Sequence, residues 1–130
     1  MSNEAIGRCP KFENLIAWQK ARFLTAKIYK ATRQGEFSRD FGLASQVQRA
    51  SVSIMSNIAE GYERDGSAEF HRFLLIAKAS CAETRSQLYV ALDVGYLNPA
   101  EFDVLLGLAE EVARVVGGLR QAVRNRKGTQ

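Results

Sequence analysis

The sequence contains few of the residues from which disulfide scaffolds, zinc sites and catalytic triads are built. Its 130 residues include two cysteines, one histidine, one tryptophan and two prolines. Two isolated cysteines and one histidine cannot form a recognisable zinc site. We therefore interpret Cys9 and Cys81 as reduced thiols of a cytoplasmic protein, with a disulfide between them as the alternative.

Long apolar runs and strand patterns are absent as well. No stretch approaches the roughly 18 uninterrupted apolar residues of a membrane span. The first residues contain no apolar segment of the kind found in secretory signals. The sequence therefore predicts a cytoplasmic protein with no membrane partner. Extended apolar–polar alternation, which would indicate β-strands, is also missing.

Apolar residues instead recur at helical spacing along most of the chain. This pattern predicts helices over residues 13–32, from Ser38 or Asp40 to residue 64, over residues 68–94 and from Asn98 onward. Helices joined by short loops favour an all-α, antiparallel up-down-up-down four-helix bundle. The predicted boundaries are a flexible arm at 1–11, the bundle domain at 12–124 and a frayed tail at 125–130.

Local signals predict where some of these helices begin and end. Ser67 is a candidate N-cap for the third helix, and Gly95 is suited to the position just after its end. At the start of the fourth helix, Asn98 supplies a cap, Pro99 the first helical residue and Glu101 the third.

Several large apolar residues lie off the stripes that form the core. Stripes of this kind on three helices indicate a second buried face, and hence an oligomer. The residues concerned are Ile16, Phe23, Leu75, Tyr89, Val104, Leu108 and Val115.

The second helix carries a polar seam opposite its apolar arc. The seam could be an ordinary hydrated face or an ordered interface. Since no catalytic partners accompany it, we assign it to hydrogen bonding between helices or subunits, with Glu60 either hydrogen-bonded or ion-paired with Arg49 or with a cation of another subunit. The seam consists of Gln46, Arg49, Ser53, Asn57 and Glu60.

The chain is basic, with a net charge of +4 and a sequence pI of about 9.3. Such a balance attracts polyanions, either nucleic acid or an acidic protein surface. Two helices carry cations in stripes, which are either hydrated faces or phosphate contacts. The predicted nucleic-acid contacts are Lys20, Lys27 and Lys30 on the first helix and His71, Lys78 and Arg85 on the third.

No catalytic constellation is recognisable in the sequence. His71, the one histidine, is followed by Arg72, which favours neither a general base nor a metal ligand. The Glu-x-x-His pattern of di-iron bundles is missing, because Glu83 is followed three residues later by Ser86. The sequence therefore predicts no enzyme, no catalytic residues, no metal and no cofactor.

One segment carries a family resemblance. It runs from Gln46 through Arg49-Ala50 and Val52-Ser53 to Asn57-Ile-Ala-Glu-Gly61, and resembles the signature of the 23S rRNA intervening-sequence proteins. Flanking similarities make the resemblance extend over residues 12–120. They are Trp18-Gln-Lys-Ala21, Phe70, Phe73-Leu74, Ala77, Ser80, Glu83 and Gly95-Tyr-Leu97. This chain has Met55 where such proteins often have proline, so its second helix need not kink.

The resemblance has implications for assembly and partners. It implies a four-helix bundle that forms a ring-like homopentamer with a central channel. Accessory proteins of diversity-generating retroelements are similar, which implies RNA or DNA and a reverse transcriptase as partners. The favoured hypothesis is a non-enzymatic nucleic-acid-binding accessory or scaffold. The alternative is a structural ring that binds an acidic protein such as a polymerase without touching nucleic acid.

Overall fold

The structure, a computed structural model, describes residues 11–128 and is built from four long α-helices. They are α1 (Ile16–Thr32), α2 (Phe41–Glu63), α3 (Ser67–Asp93) and α4 (Pro99–Gly128). Short 3-10 helices at Phe12–Asn14 and Gly35–Arg39 precede α1 and α2. No strand occurs in this part of the chain, so the predicted all-α class is confirmed.

The helices form a closed four-helix bundle. Each packs against its neighbour in the chain, and α4 packs back against α1. Hydrogen bonds show that α1 and α2 run in opposite directions: Thr25 donates to the Ser51 carbonyl at 3.2 Å. Further along α1, Thr32 accepts from Gln48, an earlier residue of α2, at 2.8 Å. The predicted bundle is confirmed. Residues 1–10 of the predicted arm lie outside the described residues, and α4 continues beyond residue 124.

The core is made of the predicted apolar stripes. Burying a leucine, isoleucine or phenylalanine side chain stabilises a fold by roughly 1.5–3 kcal/mol. The largest fully buried apolar side chains are Leu24, Ile28, Phe37, Val47, Ile54, Ile58, Leu74, Leu88, Val112, Val116 and Val123. Phe37 lies between the first two predicted helices and was not part of the predicted stripes.

Asp40 ties the two connections at one end of the bundle together. Its carboxylate caps α2 by accepting from the Leu43 N–H at 3.0 Å. It also accepts from the Tyr96 hydroxyl at 2.9 Å, and the Tyr96 ring stacks on Phe37 with centroids 5.2 Å apart. Hydrogen bonds from Leu43 and then from Tyr96 lower the pKa of Asp40. Of the two predicted caps for α2, Asp40 is therefore the correct one.

The turn between α3 and α4 forms as predicted. Gly95 has φ of +85°, which a glycine adopts without steric cost. The Tyr96 N–H bonds to the Ala91 carbonyl at 2.8 Å, and that of Gly95 to Leu92 at 3.1 Å, which is the Schellman arrangement.

Asn98 and Glu101 then cap each other at the start of α4. The Glu101 N–H donates to the Asn98 side chain at 2.7 Å. In return, the Asn98 N–H donates to the Glu101 carboxylate at 2.9 Å.

The predicted cap of α3 is wrong. Ser67 is the first residue of the helix rather than its cap, and Gly66, with φ of +93°, occupies the capping position. No side chain caps this end. The Asp65-Gly66-Ser67 turn has its left-handed residue immediately before the helix, which leaves Ser67 already helical.

Helices α2 and α3 approach each other closely at Gly61. A Cβ placed there would lie 2.5 Å from the Cβ of Phe73 and 3.2 Å from the Phe70 ring. Helix α2 is α-helical throughout, including at half-buried Met55. Within residues 11–128, no helix combines the length and apolarity needed to cross a membrane.

Candidate nucleic-acid interface

The first of the predicted contacts, Lys20, is engaged in an ion pair across the bundle. Its Nζ lies 2.8 Å from Oε2 of Glu111 on α4, and both side chains are about two-fifths exposed. The hydrogen bond and the positive charge of Lys20 lower the pKa of Glu111. Helix α1 contains no acidic residue, and the carboxylate that compensates Lys20 comes from 91 residues away.

Lys27 and Lys30 lie further along α1 and have no such partner. The Lys27 Nζ lies 5.2 Å from the centroid of the Phe23 ring, an arrangement that attracts a cation to the ring face. Lys30 is exposed. Among the described residues, neither amine has a carboxylate within ion-pair distance.

On α3 the three predicted contacts follow each other at seven-residue spacing. His71 and Arg85 are half-buried and Lys78 is exposed. Lys78 and Arg85 line a groove between α3 and α4, to which α4 contributes Arg114. The sequence did not single out Arg114 as a contact, because only packing places it beside the cations of α3.

The six predicted contacts do not form one site. Helices α1 and α3 lie at diagonal corners of the bundle, since each packs against α2 and α4. The structure therefore separates the cations into an α1 set of Lys20, Lys27 and Lys30 and an α3 set of His71, Lys78 and Arg85.

Part of the polar seam of α2 forms hydrogen bonds with α3. The hydroxyls of Ser53 and Ser80 lie 2.9 Å apart, and Asn57 donates to the carbonyl of Ser53 at 2.8 Å. Gln87, only 9% exposed, donates to the Gln46 side chain at 3.5 Å. The Ser53–Ser80 and Gln46–Gln87 contacts link α2 to α3 within one chain, whereas the Asn57–Ser53 bond lies within α2.

The two charged members of the seam face solvent. Arg49 and Glu60 are exposed. The ion pair of Glu60 is with Arg64, one turn later, at 3.1 Å, rather than with Arg49. The predicted Glu60–Arg49 pair is thus replaced by a local i, i+4 pair of the kind that contributes a few tenths of a kcal/mol.

Large apolar side chains are exposed on every helix. Phe23 is 52% exposed and Val104 61%. Phe41, at the start of α2, is 80% exposed and was not among the predicted outer residues. The predicted Ile16, Leu75 and Tyr89 are also exposed, whereas Leu108 and Val115 are partly buried against the core.

The described residues contain no group of three histidine, cysteine or carboxylate side chains that could hold a metal ion. Cys81 is fully buried. Burial raises the pKa of its thiol to about 11, against the opposing positive charges of Arg85 and Lys78. A thiol with so high a pKa is a poor nucleophile at neutral pH. The alternative prediction was a disulfide between Cys9 and Cys81. It stays a prediction, because Cys9 lies outside the described residues.

Comparison with known proteins identifies this architecture. The family model described as 23S rRNA-intervening sequence protein matches residues 13–118. A solved structure from Bacteroides thetaiotaomicron VPI-5482, described as a protein with unknown function from the S23 ribosomal protein family, superposes with a TM-score of 0.74. It is 20% identical, and the match covers 81% of this chain and 98% of that one. No curated protein matches.

Proposed function

Since the chain belongs to the 23S rRNA-intervening sequence protein family, we propose that it is a non-enzymatic, cytoplasmic nucleic-acid-binding accessory or scaffold. The RNA or DNA strand is bound through its phosphate backbone. Base sequence plays little part in this binding, because backbone contacts carry no sequence information directly.

The observation that carries this proposal is a set of uncompensated cations. Lys27, Lys30, Lys78 and Arg85 have no carboxylate within ion-pair distance in the described part of the chain. Lys20, on the same helix as Lys27 and Lys30, is by contrast neutralised by Glu111 of α4. Cations left unpaired on a protein of net charge +4 favour polyanion binding.

A charge-reversal experiment tests the proposal. Anisotropy of a labelled single-stranded RNA and of a DNA duplex is measured at low salt with the wild type and with Lys27→Glu/Lys30→Glu/Lys78→Glu. We expect the triple variant to lose at least about tenfold in affinity for the better-bound probe. Lys20 is left unchanged, because its reversal would place a second carboxylate against Glu111.

Arg72→Gln is the control for loss of a cation outside the predicted contacts. Arg72 is exposed on α3 and already paired with Glu69 at 3.2 Å, so its loss should change affinity by less than about twofold. Absence of measurable binding of either probe by the wild type would refute the proposal.

A second candidate function is the binding of an acidic protein, such as a polymerase, by the same basic surface. The observation favouring it is the exposed aromatic ring of Phe23 beside Lys27, because aromatic side chains are enriched in interfaces between proteins. Affinity capture after exhaustive nuclease treatment separates the two functions. A partner retained after that treatment was not bridged by nucleic acid.

A further inference from the structure

The groove between α3 and α4 has the shape and charge of an anion site. Its volume is about 530 Å³. Lys78 and Arg85 line it from α3, and Glu110, Arg114 and Gly117 line it from α4. Three cations therefore face one carboxylate, and no ion pair within the described residues involves any of the four.

Small residues keep this groove open. Ala82 and Ala113 line it between the charged side chains, and Gly117 has no atom within 4 Å of the position that a Cβ would occupy. The space above Gly117 is thus available to a ligand. A glycine within a helix lowers its stability by about 1 kcal/mol relative to alanine, so the open space comes at the expense of helix stability.

Arg85, which lines the groove, and Arg120, which lies further along α4 outside the lining, carry unpaired donors. The Nε of Arg85 is buried and has no hydrogen-bond partner, and the same holds for the Nε of Arg120. Arg120 follows Gly117 by three residues and Ala113 by seven, which places it on the same face of α4. A buried donor without an acceptor is unfavourable, and a bound oxyanion would supply acceptors for half-buried arginine side chains that can rotate.

We propose that the α3–α4 groove binds phosphate groups of a nucleic-acid strand. The inference rests on the proposed function and assigns the strand to one face of the bundle. Guanidinium groups bind phosphate through two parallel hydrogen bonds, which a neutral ligand would not use as well. Lys78 and Arg85 are seven residues apart, which corresponds to about 10 Å along the helix axis, so the two side chains can contact phosphates at separate positions of a strand.

Filling the groove without changing its charge is the most specific test. Gly117→Leu places an apolar side chain in the open space, while Gly107→Leu adds the same side chain to α4 at another position that is open. With a short labelled single-stranded RNA as the probe and the full chain, we expect Gly117→Leu to weaken binding at least about tenfold and Gly107→Leu less than about twofold. Far-ultraviolet circular dichroism and thermal melting check that both variants fold.

Removing the charges provides a second, independent variant. Lys78→Gln/Arg85→Gln should also weaken RNA binding about tenfold and lower its salt dependence, whereas Arg72→Gln on the same helix should not. RNA binding within about twofold of the wild type in both groove variants would overturn the inference. If Lys27→Glu/Lys30→Glu lost binding in that case, the proposed function would stand with α1 as the contact.

Calorimetric titration with pyrophosphate distinguishes a strand from a free phosphate compound. The inference predicts that pyrophosphate binds weakly and competes with RNA for the groove. Tight pyrophosphate binding that Gly117→Leu abolishes, in a wild-type protein that binds no RNA, would contradict both the strand assignment and the proposed function.

Discussion

Gly61 illustrates how one residue fixes the distance between two helices. Its missing side chain lets α2 approach Phe70 and Phe73 of α3, because a Cβ would lie only 2.5 Å from the Cβ of Phe73. In the sequence, Gly61 is the last residue of the segment that carries the family resemblance. Its role, however, depends on which residue of α3 packs opposite, and the periodicity of one helix cannot show that.

Gly61→Ala is expected to destabilise the bundle. Overpacking a tight contact costs roughly 1–3 kcal/mol, and the better helix propensity of alanine offsets about 1 kcal/mol of this. The free energy of unfolding, measured with urea, should therefore fall. Gly107→Ala is the control: nothing lies within 4 Å of its Cβ position, so the propensity gain should appear alone as a stabilisation of about 1 kcal/mol. Equal effects of the two substitutions would contradict the close approach at Gly61.

The Tyr96–Asp40 hydrogen bond predicts a specific pH dependence. The pKa of the Asp40 carboxyl group is lowered in the folded protein, mainly by the hydrogen bond from Leu43 and then by the one from Tyr96. Because the folded pKa lies below the unfolded value of about 3.9, the stabilisation is fully present above the unfolded pKa and is lost as the pH falls from there through the folded pKa. Urea titrations should show a larger stability loss from Tyr96→Phe at pH 7 than at pH 3. A loss that is the same at both pH values would show that the bond does not favour the ionised carboxylate.

At the scale of single residues, the ion pair between Lys20 and Glu111 could not be predicted from the sequence. The absence of acids from α1 suggested an uncompensated stripe, but Glu111 of α4 neutralises one end of it. The burial of Gln87 was also not predicted, because the sequence does not show that Gln46 of α2 lies beside it. Both depend on contacts between helices distant in the chain.

At the scale of the helices, predictions were best where the signal was local. The Gly95 terminator and the Asn98–Glu101 cap use only residues within one turn, and both formed as expected. The prediction of Ser67 as the cap of α3 was wrong, because the preceding residue, Gly66, occupies the capping position. Local sequence thus identifies the end of a helix well. When two neighbouring residues could each be the cap, the backbone geometry is needed to distinguish them.

Asn98→Ala should lower the stability of the bundle by about 1 kcal/mol. The substitution removes the acceptor of the Glu101 N–H and leaves that donor at the first turn of α4 without its partner. Thermal melting followed by circular dichroism measures the effect. Asn98→Asp, which retains an acceptor and adds a negative charge at the positive end of the helix, should melt close to the wild type; a loss as large as that of alanine would contradict the capping role.

For the whole molecule, the exposed apolar residues lead us to propose self-association. Phe23, Phe41, Tyr89 and Val104 are each at least half exposed on a chain of 14.4 kDa. Light scattering should give a mass several times that of one chain, and five copies would give about 72 kDa. Tyr89→Glu should reduce the mass. A wild-type mass of one chain at micromolar concentration would refute a second buried face.

The overall architecture was predictable because four amphipathic stripes and short connections leave few ways to pack. The candidate site was only partly predictable. Seven-residue spacing identified the α3 cations, yet the groove beside them exists because Arg114 and Gly117 of α4 lie opposite. The site therefore depends on how α3 and α4 are aligned against each other. A single sequence gives little information about that alignment.

The salt dependence of RNA binding tests the central claim most directly. If the unpaired cations bind phosphates, the logarithm of the association constant should fall linearly with the logarithm of the salt concentration. For a single strand the slope should be about −0.7 per phosphate neutralised. Lys78→Gln/Arg85→Gln should make that slope shallower by roughly 1 to 2. A wild-type affinity that does not change with salt, or an unchanged slope in the variant, would contradict backbone binding by these residues.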